Sequence, residues 1–249
     1  MHRKLLQLLG DNARAEAAPS IRVEAAGDVA HVYVYDVIDS YWGASAKALV
    51  DALAAAGDKP VSLHINSPGG DVFEARTMVS AVRSHQQRGF GVTSYIDGLA
   101  ASAATYLALA GDKVHIAEGG MFMVHNSWTL AWGNKTELRS TADLLEKIDG
   151  TIAADYQRKT GADAGQVTAW MDAETWFTAD EAKDAGFVDS VIKAPDTSAS
   201  KAARWNLSAY ANAPKPADRP PPTDDEITAR AANVSRVNRS RLAALLTRT

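Results

Sequence analysis

The sequence contains no cysteine. Disulfides, cysteine nucleophiles and zinc or iron–sulfur sites built on thiolates are therefore excluded. No charge of one sign dominates either. Lys and Arg number 26 against 30 Asp and Glu, a net charge of −4, so nothing draws the whole chain toward nucleic acid. There is no apolar run of the roughly 18 residues that a membrane-spanning helix needs. The opening MHRKLLQLLG is basic and then apolar, but it lacks a full apolar core and a clear cleavage site, so no signal peptide is expected. A G-x-x-x-x-G-K-[ST] loop is also missing, so no nucleotide cradle is expected. What is present is a chain of 249 residues, 46% hydrophobic and 22% charged. That is the balance of a globular protein with room for one large domain plus an appendage, and its core needs no metal or disulfide staple.

Three zones are expected. Residues 1–27 are alanine-rich and weakly patterned, residues 28–193 alternate strand-like and helix-like segments, and residues 194–249 form a tail rich in Ala, Ser, Pro, Asn and Arg. Within the middle zone, strands are predicted at Ala30–Asp36, Val61–Asn66, Gly91–Ile96, Lys113–Ala117, Met121–His125 and Phe187–Ile192 from β-rich composition and alternation. Helices are predicted at Ala44–Ala56, Val72–Arg88, Ala101–Ala110, Thr136–Lys159, Ala162–Met171 and Ala179–Ala185. The longest carries an apolar stripe of Leu138, Ala142, Leu145, Ile148, Ile152 and Tyr156 at spacings of three and four. Strand-then-helix units imply a largely parallel sheet with right-handed crossovers and helices outside. In the tail, Pro214–Pro222 has linker composition. Asp224–Arg248, with Ile227, Ala231, Val234, Leu242 and Leu245 as apolar points, has the pattern of a small amphipathic helix or of a solvated tail.

Four segments could carry chemistry. SPGGD at Ser67–Asp71 ends a strand; its glycines bare backbone amides and admit close approach, as an anion or oxyanion site requires, although an ordinary tight turn uses the same residues. Ser102 follows a strand and opens a helix among alanines, where a helix N-terminus favours developing negative charge. This is the logic of a nucleophile elbow without the G-x-S-x-G pattern; a capping or close-packing serine is the plainer alternative. His125 ends an apolar strand and could shuttle the serine proton, or be a buried histidine with satisfied hydrogen bonds. His31, His64, His85 and His115 compete with it, but His64 and His115 lie inside predicted strands and suit packing better. Asp172 and Glu174 precede a helix and could orient a histidine, or simply complement the helix dipole. The order of glycine turn, serine, histidine and carboxylate, each at the carboxyl end of a strand or in an adjoining loop, matches where α/β sites gather.

These same segments carry a resemblance. INSPGGDV at Ile65–Val72, GLAASAA at Gly98–Ala104, MVHNSW at Met123–Trp128 and ETWFTADEAKDAGFVDSV at Glu174–Val191 resemble the ClpP family of serine peptidases, over about Val29 to Ile192. SPGGDVFEA, DGLAASAA and VHNSW are similar to the ClpP-like head maturation (prohead) proteases of tailed bacteriophages. The resemblance implies an α/β fold of ClpP/crotonase type, with stacked ββα units, a largely parallel sheet and a long handle helix at Thr136–Lys159 that packs ring on ring. It implies Ser102 as nucleophile, His125 as general base, and the amides of Gly70 and Ala103 as oxyanion hole. Glu174 matches the family's aspartate as third member, with Asp172 as the alternative. It implies no metal and no cofactor, and protein substrates (capsid and scaffold proteins) cut by a homo-oligomeric ring without ATP. Neither nucleic acid nor membrane is an expected partner, and the expected location is the host bacterial cytoplasm, within the assembling prohead. The Arg-bearing tail would suit docking to capsid or scaffold.

Four rivals are weighed against this. A housekeeping ClpP peptidase would serve a separate unfoldase. A serine–lysine enzyme of related fold would use Lys47 or Lys135, which His125 at the matching place argues against. A non-catalytic shell or scaffold protein would have no use for Ser102, His125 and Glu174 together. A crotonase-type acyl-CoA enzyme would share the oxyanion hole but leave the serine and histidine unexplained.

Overall fold

The structure is a computed structural model that describes residues 20–41, 43–193 and 205–214. The expected helix at Asp224–Arg248, and the expected linker beyond Pro214, lie outside the described residues. In chain order the strands are β1 (Ile21–Ala26), β2 (Val29–Val34), β3 (Val61–Ser67), β4 (Val92–Ala101), β5 (Lys113–Ala117), β6 (Met121–Val124), β7 (Thr175–Thr178) and β8 (Ser190–Ile192). The helices are α1 (Ala46–Ala56), α2 (Val72–Gln87), α3 (Ala103–Ala108), α4 (Lys135–Thr160), α5 (Ala164–Asp172) and α6 (Ala179–Asp184).

The sheet order is β1-β2-β3-β4-β5-β8. β2, β3, β4, β5 and β8 run parallel, and β1 joins antiparallel at the edge. This is the mixed α/β, largely parallel architecture expected from the alternation of strand and helix. Alternate strand residues Val32, Val34, Leu63 and Ile65 are fully buried with Leu49 of α1 and Met78 and Val82 of α2. The opposite positions carry a stacked row of half-buried rings: His31 and Tyr33 on β2, His64 on β3, Tyr95 on β4 and His115 on β5.

β4 is the pivot of the fold. Its first half, Thr93–Ile96, pairs with β5, while its second half, Leu99–Ala101, pairs with β6. The switch falls at Asp97–Gly98. A Cβ on Gly98 would stand 3.2 Å from Asn66 Oδ1, so glycine there lets β4 pass close to β3. β6 in turn pairs antiparallel with β7. The result is a small wing of β4, β6 and β7 projecting from the main sheet, with Ser102 and His125 just beyond the carboxyl ends of β4 and β6.

Several boundaries differ from the sequence expectation. β1 lies in the stretch read as weakly patterned; alanines dilute its alternation, and pairing with β2 from Ile21↔Val34 to Ala26↔Val29 settles it. β4 continues through Ala101, so the helix expected from Ala101 begins at Ala103. β7 was unrecognised because four residues beside a helix cap carry too little periodicity to count. The closing strand expected over Phe187–Ile192 shortens to Ser190–Ile192, since Phe187 and Val188 turn inward to bond Ala182 O and fill the core.

The long helix α4 begins with a complete capping box, Asn134 accepting from Glu137 N and Glu137 receiving Asn134 N. Its apolar stripe is divided. Ile152 and Tyr156 are buried and Leu145 and Ile148 half-buried, whereas Leu138 is 44% exposed, as is Leu144 beside the stripe at 52%. The carboxyl half belongs to the core, and the amino half has no cover within the described chain.

Candidate active site

The turn Ser67–Asp71 is built to approach other backbone closely. Gly69 donates no side chain where a Cβ would stand 2.5 Å from Ala101 O, 2.8 Å from Ser102 Cβ and 3.0 Å from Ala103 N. A Cβ on Gly70 would overlap the Ile38 carbonyl oxygen, and its φ is +147°. Ile38 N donates to Gly69 O, and Asp71 N donates to Ile38 O, both at 2.8 Å. The turn is thus clamped between Ile38 on one side and the Ser102–Ala103 junction on the other. Asp71 then caps α2 by accepting from Phe73 N and Glu74 N.

Ser102 sits at the junction of β4 and α3. Its φ is +53°, a conformation that costs a non-glycine residue on the order of 1–3 kcal/mol. It is held there by Ser102 N donating to Met123 O at 2.9 Å, and by Thr105 N and Thr105 Oγ1 donating to Ser102 O. Only one other non-glycine residue among those described has positive φ, Glu174 at +49°. Both outliers therefore fall on residues singled out from the sequence.

His125 follows β6 directly. Its Nε2 lies 2.7 Å from Ser102 Oγ, within the reach a general base requires. Enclosure of the ring pulls its pKa down to about 4, against the opposing pull of the Glu174 and Asp149 carboxylates. The imidazole is accordingly neutral near pH 7 and able to accept a proton. The other histidines have different employment. His64 lies 2.8 Å from Asp97 and 3.1 Å from His31, His115 lies 2.7 Å from Ser190 Oγ, and His85 lies 2.8 Å from Lys59 O. None of these approaches Ser102.

The carboxylates divide by position. Asp172, at the end of α5, accepts from Asn126 Nδ2 at 2.7 Å and so reaches the residue after His125, not the ring. Glu174, in the turn before β7, is close enough to favour the charged imidazole, but none of its hydrogen bonds goes to His125. Its Oε1 accepts from Asn212 N at 2.6 Å and Trp176 Nε1 at 3.3 Å, and its Oε2 accepts from Ala211 N at 2.9 Å. The second carboxylate felt by His125, Asp149, was not foreseen. It stands on α4 and accepts from Ser127 N at 2.6 Å, tying the handle helix to the loop behind the histidine.

The tail contributes more than the sequence suggested. Residues 205–214 lie against the wing, where Tyr210, Leu99, Ala101 and Met123 form a second small apolar cluster with Trp176, Trp205 and Leu207 around it. Tyr210 is buried; its phenol donates to Pro68 O, its hydroxyl contacts Ser102, and its ring meets His125 edge-on at 5.3 Å. Burial raises the phenol pKa, so it stays protonated. On the other side of Ser102 a cleft of about 280 Å³ opens between the α2 N-terminus and α4, lined by Gly70, Phe73, Ser102, Trp128, Leu144 and Tyr210 among others. Ser127 Oγ is buried on its wall without a hydrogen-bond partner among the described residues.

A strained serine, a histidine within hydrogen-bond distance and a glycine turn against the serine form a geometry that suits serine acyl transfer. The family model described as Clp protease matches residues 23–195. The chain belongs to the Clp protease family. It is 31% identical over 139 residues to an ATP-dependent Clp protease proteolytic subunit of Bacteroides fragilis, covering 54% of this chain and 64% of that protein. It is 30% identical over 136 residues to proteolytic subunit 1 of Corynebacterium jeikeium, covering 54% and 71%. To proteolytic subunit 3 of Rhodococcus jostii it is 28% identical over 172 residues, covering 66% and 83%. The chain thus spans less than two thirds of the length of the Bacteroides relative. The segment 205–214 lies beyond the residues that the family model matches.

Proposed function

We propose that this protein is a serine endopeptidase. The observation that carries the proposal is the 2.7 Å approach of Ser102 Oγ to His125 Nε2, beside a glycine turn that presses on the Ser102–Ala103 junction. Ser102 Oγ attacks the scissile carbonyl as its proton passes to His125 Nε2. The new oxyanion is received by the amides of Gly70 and Ala103, the latter at the first position of α3. His125 then returns the proton to the leaving amine, and water hydrolyses the acyl-enzyme by the reverse path. Glu174 is the third member of the triad and stabilises the imidazolium through its charge, with Asp149 as a second source of the same field. Asp172 is the weaker candidate: its Oδ1 accepts from Asn126 Nδ2, and the carboxylates whose charge acts on His125 are Glu174 and Asp149. This chemistry asks for no metal and no nucleotide.

The finer assignment is processing of capsid and scaffold proteins by a homo-oligomeric ring during phage prohead maturation. It is supported by the wording of SPGGDVFEA, DGLAASAA and VHNSW, and the ring by the uncovered Leu138 and Leu144 on α4. A second reading has equal support in the relatives, which are named as subunits of ATP-dependent Clp proteases: a peptidase that works with a separate unfoldase. Co-expression with capsid and scaffold proteins, comparing wild type with Ser102→Ala by intact mass, tests the choice. Discrete truncated partners that vanish in the variant are expected for the maturation role. Unchanged partners, with casein still cleaved by the purified wild type, would overturn that role and leave the general peptidase.

A further inference from the structure

The peptidase reading leaves open why the carboxylate proposed to serve His125 is occupied by backbone from residues 211 and 212. The segment 205–214 makes a run of specific contacts along the wing that carries Ser102 and His125. Trp205 Nε1 donates to Asn66 Oδ1 at 3.1 Å. Tyr210 donates its phenol to Pro68 O, the carbonyl just before Gly69 and Gly70, and meets Trp176 edge-on at 5.8 Å. Ala211 N and Asn212 N converge on Glu174, and Asn212 Nδ2 donates to Ala173 O at 2.8 Å. Indole, phenol and two main-chain amides are thereby captured in one groove, which is how a peptide ligand is held: backbone hydrogen bonds for affinity, side-chain pockets for selectivity.

We propose that the groove bounded by Asn66, Pro68, His125, Trp176 and Glu174 is a peptide-binding subsite beside Ser102, selective for an aromatic residue, and that Trp205–Pro214 is its resident occupant in cis, displaced when a substrate chain enters. The inference rests on the peptidase reading for the word substrate, but the groove and its occupant stand on contacts alone. The open cleft at Ser102 is lined in part by Tyr210 of the strap, so the cleft and the groove adjoin and can take one extended chain between them. While bound, the strap encloses His125 and takes both oxygens of Glu174. When it leaves, those oxygens are free to turn to the imidazole. An occupant closed for 90–99% of the time would lower the apparent reactivity of Ser102 by about 10- to 100-fold.

The test uses the full chain carrying Trp205→Ala with Asn212→Pro, which removes the indole donor and one of the two amides on Glu174. A fluorescein-labelled synthetic peptide of residues 205–214 is titrated by polarisation into wild type and variant, and Ser102 labelling by a fluorophosphonate is timed by intact mass. The expected result is peptide binding to the variant but not to wild type. Ser102 labelling should be at least tenfold faster in the variant and should slow again as the peptide is added. Peptide that binds neither protein, or both equally, would overturn the groove. Peptide binding with labelling rates unchanged, or slower in a variant whose melting curve is native, would overturn the displacement and make the segment a fixed wall. Peptide binding to the variant alone, with no labelling of any sample, would keep the groove and its occupant while defeating the peptidase reading.

Discussion

The two halves of the candidate triad are positioned by different means. Ser102 and His125 sit at the ends of adjoining parallel strands, locked by main-chain bonds: Ser102 N to Met123 O, and Leu99–Ala101 registered against Met121–Met123. Glu174 sits in a turn at the edge of the wing, and apart from Trp176 Nε1 the partners of its carboxylate come from a segment 37 and 38 residues further along the chain. The first half is fixed by the fold, the second by an appendage. Where strand ends set a contact, every nearby core residue must move to break it. Where a surface strap sets one, a local opening of ten residues is enough, and such openings have a much lower free energy than unfolding.

That contrast orders the ways to break the site. Ser102→Ala should abolish fluorophosphonate labelling and lower proteolysis by a factor on the order of 10³ or more, with its melting temperature close to wild type because the main-chain bonds that hold position 102 are kept. Gly70→Ala forces a Cβ into Ile38 O. It should cost on the order of 100-fold in rate, the effect of losing one oxyanion donor, and a lower melting temperature should accompany it. Among the carboxylates, Glu174→Gln should reduce the rate by about tenfold or more, Asp149→Asn by less, and Asp172→Asn within about twofold. Single-turnover acylation of the three variants in parallel checks the order, and an effect of Asp172→Asn larger than that of Glu174→Gln would reverse the assignment.

Proton uptake sharpens the same comparison with smaller effects. Catalysis needs neutral His125, so the acid limb of the wild-type rate profile should fall near pH 4. In the strap-loosened variant the ring is less enclosed and faces Glu174, so the limb should move up toward or beyond 6.5, the value of a free histidine. Stability follows the same sign. The folded pKa lies below the unfolded one, so the unfolded chain binds the extra proton between the two. The contribution of His125 is complete above about pH 6.5 and is lost as pH falls through about 4. It amounts to about 3 kcal/mol at most, less whatever the ring's partial solvent contact screens. Melting curves of wild type and His125→Gln between pH 7 and pH 4 should converge as the pH is lowered.

Much of the first half was legible in the sequence. Alternation in Val61–Asn66 and a polar break at SPGGD place a strand end and a tight turn, and the same logic places His125 after Met121–Val124. Helix α4 is legible through its stripe, but periodicity cannot tell a core from an interface, so the exposure of Leu138 at the amino end is visible only in the structure. The second half was not legible. β7 is short and takes its strand character from pairing with β6, a long-range effect. Asp149 looked like one more charge on a helix. Residues 205–214 have the composition of a tail, and nothing local in WNLSAYANAP says that Tyr210 and two amides meet a glutamate fixed by positive φ.

The central claim is that Ser102 is an activated nucleophile served by His125. The most direct test is intact mass and peptide mapping of the full chain after fluorophosphonate treatment at pH 7, on wild type, Ser102→Ala and His125→Gln. The account predicts a single adduct on Ser102 in wild type, none in Ser102→Ala, and labelling slower by a factor on the order of 100 or more in His125→Gln. An adduct that persists in Ser102→Ala, or labelling at an equal rate with and without His125, would contradict it.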